Sequence, residues 1–101
     1  NASETVRSAL SDALEKIESE KTLQGQISAV LIISHFHETE KFVSKTKHEF
    51  QPLVKSQNHY CTKENECIDM FFLHGPAEKI KKMKNKLLQN KLVKKTVLVP
   101  V

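Results

Sequence analysis

Three side chains that can bind a transition metal lie close together in the sequence: His59, Cys61 and Cys67. Imidazole nitrogen and thiolate sulfur suit late transition metals: tetrahedral sets of these ligands are typical of zinc, and square-planar sets of nickel or copper(II). Three ligands leave one of four positions open, and His48 is the best candidate to fill it. We therefore predict a metal site built on the segment from His59 to Cys67.

The cysteine pair has two other possible uses. Cys61 and Cys67 can form a disulfide, although a direct cross-strand bridge is strained and a reducing cytosol opposes it. They can also be small buried side chains without a chemical role. Because the chain shows no signal peptide and no apolar run of about 20 residues, we expect a cytoplasmic protein that does not enter a membrane.

Composition and net charge exclude few classes of protein. A length of 101 residues fits one globular domain, and the net charge is +4. Eight lysines lie between positions 79 and 95, either as the solvated face of a helix or as a surface that tolerates nucleic acid. The sequence has no Gly-rich phosphate loop and no nucleophile–base pair, so we do not expect an enzyme.

The hydrophobic pattern predicts an α+β fold. Apolar residues recur at helical spacing from Ser3 to about Lys21, and Gly25 ends this helix. The later elements are a strand at 27–36, a helix at 38–49, strands at 53–62 and 67–73, a helix opened by Gly75-Pro76, and a strand at 93–99. This order is the ferredoxin-like βαββαβ arrangement, an antiparallel sheet with two helices on one face.

The hairpin of the second and third strands brings the metal-binding side chains together. Alternation along a strand places His59 and Cys61 on one face, and a turn near Glu64 sets Cys61 opposite Cys67. Ile68, Met70 and Phe72 share the other side and are apolar, so we expect them to face the helices. The metal ligands would then point away from the helices, toward a partner subunit.

The sequence resembles the NikR family of nickel-responsive repressors over nearly its whole length. That family joins a ribbon-helix-helix DNA-binding domain to a ferredoxin-like (ACT-type) sensor domain. The matching segments are residues 67–75 (CIDMFFLHG), with a ligand cysteine, an acidic residue two positions on and a glycine, together with residues 29–31 (AVL) and residues 1–10.

The resemblance implies a ligand set. The family's cysteine corresponds to Cys67, the first histidine of its His-x-His pair to His59, and a further histidine eleven residues earlier to His48, which would come from a neighbouring subunit. The second histidine of the pair is Cys61 here. Nickel(II) is therefore the metal expected first, and the second thiolate makes zinc, copper or cobalt more competitive. His35 and His37 share a face and form a possible auxiliary site.

The resemblance also implies an organisation and a function. Residues 1–24 would be a remnant helix of the ribbon-helix-helix domain, and residues 25–101 the ACT-like sensing and oligomerisation domain. We expect a homo-oligomer, a dimer or tetramer, in which metal controls binding to operator DNA through a strand that precedes the given sequence. This segment alone is expected to bind metal without binding operator DNA. The alternatives are an ACT-type amino-acid sensor, or a zinc, copper or cobalt sensor on the same scaffold.

Overall fold

The last three-quarters of the chain form four strands and two helices. The computed structural model describes residues 3–10, 23–62 and 64–101. Residues 3–10 are helical and are called α1; the rest of the helix expected up to about Lys21 lies outside the described residues. The elements that follow are β1 (Gln26–Phe36), α2 (Glu40–Glu49), β2 (Val54–Cys61), β3 (Glu66–Pro76), α3 (Ala77–Leu88) and β4 (Val93–Pro100). Short 3-10 turns at His37–Thr39 and Gln51–Leu53 precede α2 and β2.

The sheet has the strand order β2-β3-β1-β4, and every neighbouring pair is antiparallel. This order places the first and third strands in the centre, as the split βαβ arrangement requires. The predicted ferredoxin-like α+β fold is therefore confirmed. One boundary differs: Pro76 is the last residue of β3 rather than the opening residue of α3, and its extended backbone leads into the helix.

The core lies between one face of the sheet and the helices. On the central strands, alternate residues such as Leu31, Ile33 and Phe71 are completely buried. α3 contributes Ile80, Met83 and Leu87 to the same apolar cluster, while its lysines are exposed or half-buried. Because these three side chains recur at intervals of three and four residues, they form one helical face that packs on the sheet. No helix among the described residues is long and apolar enough to span a bilayer.

The expected orientation of β3 is wrong. Cys67, Asp69 and Phe71 are buried on the face that carries the helices, whereas Ile68 and Phe72 are exposed on the opposite face. β3 is an interior strand with large apolar residues on both sides, so the alternation defines two faces without identifying the inner one. The metal-binding side chains therefore lie on the helix side of the sheet, near the start of α2, and not on its bare face.

Candidate metal centre

The β2–β3 hairpin positions the central residues as its alternation predicts. Cys61 pairs directly with Cys67, and His59 pairs with Asp69. Thr62 donates its backbone N–H to Glu66 O at 2.7 Å, which closes the hairpin next to the cysteine pair. The register therefore places one imidazole, two sulfur atoms and one carboxylate on the same small area of the sheet, and the predicted juxtaposition of Cys61 and Cys67 is confirmed.

The two cysteines are joined in a disulfide with an S–S distance of 2.02 Å. This is the alternative that a reducing cytosol was expected to oppose. Cys67 is completely buried, and Cys61 is at the surface. The thiolate is the form of cysteine that binds metals. The two sulfur atoms can therefore become metal ligands only when the disulfide is reduced, and their role as ligands stays a prediction.

His59 has the orientation of a metal-binding histidine. Its Nδ1–H donates to Asp69 Oδ1 at 2.7 Å, which directs Nε2 toward Cys61 Sγ at 3.2 Å. Histidine ligands commonly donate their second ring nitrogen to a carboxylate in this way. With Zn–N and Zn–S bonds of usual length, two ligand atoms lie about 3.1 Å apart at a right angle and about 3.5 Å apart at the tetrahedral angle. The observed nitrogen–sulfur distance fits such a pair.

His37 belongs to the same cluster. It begins the 3-10 turn after β1, and its Nδ1 lies 3.7 Å from Cys67 Sγ and 4.0 Å from Cys61 Sγ. Glu40 contacts both histidines: Oε1 lies 2.8 Å from His59 Nε2, and Oε2 lies 3.4 Å from His37 Nδ1. The donor atoms of His37, Cys61 and Cys67 all lie within 4.8 Å of one another, as do those of Glu40, His59 and Cys61.

His35 and His37 have different surroundings, and the auxiliary site predicted for them stays a prediction. His35 is completely buried, and its Nε2–H donates to Asp69 Oδ2 at 2.6 Å. Its Nδ1 lies 2.8 Å from Thr39 Oγ1 and 2.9 Å from Phe36 O. Both ring nitrogens therefore have partners inside the protein. His35 contacts the site through Asp69.

Asp69 links these residues and was not among the predicted ligands. Its carboxylate is 1% exposed and accepts hydrogen bonds from His35, His59 and the side-chain amide of Gln57. A buried carboxylate is stable only when its oxygens are satisfied in this way. The sequence carried one signal for it, because Asp69 lies two positions after Cys67 and therefore on the same face. Glu40 had no comparable signal.

His48 lies apart from these clusters. It is exposed in the last turn of α2, and its Nδ1 lies 3.0 Å from Gln51 Oε1. Within one chain, His48 belongs to none of the groups of donor atoms that lie within 4.8 Å of one another among the described residues. Its predicted role as a ligand to the metal of a neighbouring subunit stays a prediction.

Comparison with known proteins identifies the family and the fold. Residues 25–101 match the family described as the NikR C terminal nickel binding domain. A protein of Methanocella arvoryzae named "Putative nickel-responsive regulator" is 24% identical over 102 residues, which cover 98% of this chain and 73% of that protein. The solved structure of an uncharacterized protein from Thermotoga maritima has the same fold, with a TM-score of 0.71, 21% identity, and coverage of 76% of this chain and 99% of that one.

The family match spans the whole sheet, both of its helices and the hairpin with the metal-binding side chains. The description of the family is that of a metal-binding domain, and the curated relative is named as a regulator. Neither is the description of an enzyme. The chain belongs to the NikR family, as a member that contains its C-terminal nickel-binding domain.

Proposed function

We propose that this chain is the sensor of a metal-responsive transcriptional regulator, a repressor that responds first to nickel. The observation that carries the proposal is the position of Cys61 Sγ, which lies 3.2 Å from His59 Nε2 and is bonded to Cys67 Sγ, on a chain of the NikR family. The hairpin register and the Asp69 contact both serve to hold these donor atoms together.

The metal acts as an allosteric ligand in this proposal. It must bind one arrangement of the protein more tightly than another, because a ligand shifts an equilibrium only by its differential affinity. The cluster joins the hairpin to the segment that leads into α2, through Glu40 and His37. Metal binding would fix that junction. In a homo-oligomer, the fixed arrangement would set the spacing of the DNA-binding domains that contact an operator.

Nickel is the first candidate on the strength of the family. The second cysteine changes the ligand set, because Cys61 adds a thiolate to the hairpin. Two thiolates and imidazole nitrogen make zinc, cobalt and copper stronger competitors than they would be at a site with a single sulfur. We therefore expect the site to bind several late transition metals, with the choice among them set by coordination geometry.

The test is metal analysis of the reduced protein together with visible absorption. With nickel chloride we expect one tightly bound ion per chain and a thiolate-to-nickel charge-transfer band. Cys67→Ser should abolish both. His74→Ala is the matched control, since this imidazole bonds Ser28 Oγ outside the cluster and should leave both unchanged. A Cys67→Ser protein that keeps its full metal content would refute the proposal.

A cavity at the other end of the sheet supports a second candidate, the sensing of a small molecule. It has a volume of about 480 Å³, and its lining includes Lys55, Lys79, Lys82 and His74 beside the apolar Phe50. This size and mixture suit a ligand with a carboxylate and an apolar part, such as an amino acid. Calorimetric titration of the metal-free protein with amino acids distinguishes the two functions, because a metal sensor gives no heat of binding with any of them.

A further inference from the structure

We infer that the cavity at the end of the sheet remote from the cysteines binds a small organic anion with at least two negative charges and an apolar part. The inference rests on the second candidate function, and it names the charge class of the ligand and the place where it binds. The lining of the cavity contains none of the candidate metal ligands. One chain can therefore carry both sites.

Three ammonium groups line this cavity. Lys55 lies at the start of β2, and Lys79 and Lys82 lie on α3. Residues three apart on a helix are neighbours on its surface, so the two α3 lysines lie on the same side. A concave surface lined by one sign of charge concentrates counter-ions. An anion bound there also relieves the mutual repulsion of the lysines.

The positive charge of the cavity is not compensated by nearby carboxylates. Within the part of the chain that the structure describes, Lys79 and Lys82 have no acidic partner at ion-pair distance. The carboxylate in the lining belongs to Glu49, and it is paired with Lys86. Lys55 donates to a backbone carbonyl at 3.1 Å, which leaves two of its three ammonium protons for a ligand.

An apolar wall lies beside these charges. Leu53 is 4% exposed, and it packs so closely on Gly75 that a Cβ atom at position 75 would overlap Leu53 Cδ2. Phe50 and Pro52 also line the cavity. The wall is therefore packed before any ligand enters. The volume of about 480 Å³ lies within the range of about 300–1,000 Å³ that is usual for small-molecule sites.

The number of cations determines the charge class of the ligand. An amino acid has one carboxylate, and its ammonium group would lie close to three lysines. A phosphate monoester or a dicarboxylate has about two negative charges at neutral pH and no cation. Lysine is a common ligand of phosphate, as a point charge. The cavity thus favours a dianion over a zwitterion.

The cavity adjoins the segment through which the chain enters the sheet. Gln26, the first residue of β1, belongs to the lining. The residues before it are bonded to α3: Ala77 N–H donates to Gly25 O at 2.8 Å, and Lys81 Nζ donates to Leu23 O at 3.1 Å. The same helix carries two of the three cavity lysines. A bound anion would therefore contact the helix that holds the junction with the N-terminal segment.

The experiment is calorimetric titration of the metal-free chain with three probes: phenyl phosphate, glutarate and leucine. We expect at least one of the two dianions to bind about 10-fold more tightly than leucine, because each additional exposed ion pair contributes a factor of up to about 5. For the same reason, the double variant Lys79→Gln and Lys82→Gln should weaken binding of that dianion by on the order of 10-fold. A preference for phenyl phosphate or for glutarate identifies the anionic group.

The matched control is the double variant Lys91→Gln and Lys95→Gln. It removes the same charge from exposed positions outside the lining, and it should bind the dianion as the parent chain does. Circular dichroism checks that both variants are folded. Both should also keep the metal content of the parent chain, since the metal cluster lies at the other end of the sheet.

Three results would overturn the inference. Equal losses in the two double variants would mean that only net charge attracts the anion. Leucine binding as tightly as the dianions would refute the charge class while supporting an amino-acid sensor. No heat with either dianion would exclude the site. None of these results affects the metal proposal, which fails only when Cys67→Ser keeps its metal.

Discussion

Asp69 determines how two histidines face the site. Its Oδ1 accepts from His59 and from Gln57, and its Oδ2 accepts from His35. A neutral amide at this position would present one oxygen and one NH2 group to three donors. At least one buried N–H would then face another N–H and have no acceptor. This lowers the free energy of unfolding by about 1–3 kcal/mol. The orientation of His59 would be lost together with the bond that fixes its tautomer.

We therefore predict that Asp69→Asn weakens metal affinity by about 10- to 100-fold, the usual effect of removing a carboxylate that supports a histidine ligand. Competition with a chelator of known affinity measures the change in the reduced protein. Glu66→Gln is the matched control: it makes the same chemical change three positions earlier on β3, at a side chain that pairs with Lys94. Equal metal affinity in the two variants would show that Asp69 has no supporting role.

The sequence predicts only those site residues whose proximity is local. His59, Cys61 and Cys67 meet because strand alternation and one hairpin turn are sufficient to place them. His37 and Glu40 join them because β1 lies next to β3 and the chain then turns toward α2. Their proximity to the hairpin depends on the tertiary fold, and no spacing in the sequence indicates it.

At the scale of elements, β3 shows why the face of the site was assigned incorrectly. The strand lies between β2 and β1, and it alternates Cys67, Asp69 and Phe71 with Ile68 and Phe72. The more polar set is the buried one. Asp69 can lie in the interior because hydrogen bonds from His35, His59 and Gln57 satisfy its oxygens, and the hydropathy of the sequence does not reveal such partners. The order of elements was predictable because each strand and helix has its own period, whereas the inner face depends on those partners.

Two adjacent phenylalanines test this orientation. Phe71 is completely buried, and Phe72 is 36% exposed. We predict that Phe71→Ala lowers the free energy of unfolding by about 3–5 kcal/mol, as expected for a large core side chain. Phe72→Ala makes the same change on the other face, and its loss should be less than half as large. Urea denaturation of the reduced, metal-free chain measures both. A larger loss at Phe72 would reverse the assignment of the faces.

At the scale of the whole molecule, the cluster joins separate parts of the fold. Its members come from the end of β1, the start of α2 and both strands of the hairpin, so they span residues 35 to 69 of the chain. The disulfide joins only the two hairpin strands, with a separation of six residues. A metal bound within these groups of donor atoms would add a connection between the hairpin and the segment after β1. The two chemical states therefore constrain the molecule differently.

We predict that metal stabilises the reduced chain and has no effect on the oxidised one. A ligand that binds the native state at 100 times its dissociation constant adds about 2.7 kcal/mol to the free energy of unfolding. In a chain of 101 residues this corresponds to a rise of roughly 10–20 °C in Tm, at about 4–8 °C per kcal/mol. Thermal denaturation with and without zinc, before and after treatment with a dithiol, measures the difference. The double variant Cys61→Ser and Cys67→Ser controls for the reductant and should give no zinc-dependent shift in either state. An equal shift in the oxidised parent chain would mean that zinc binds elsewhere, because a disulfide leaves the site without its two thiolates.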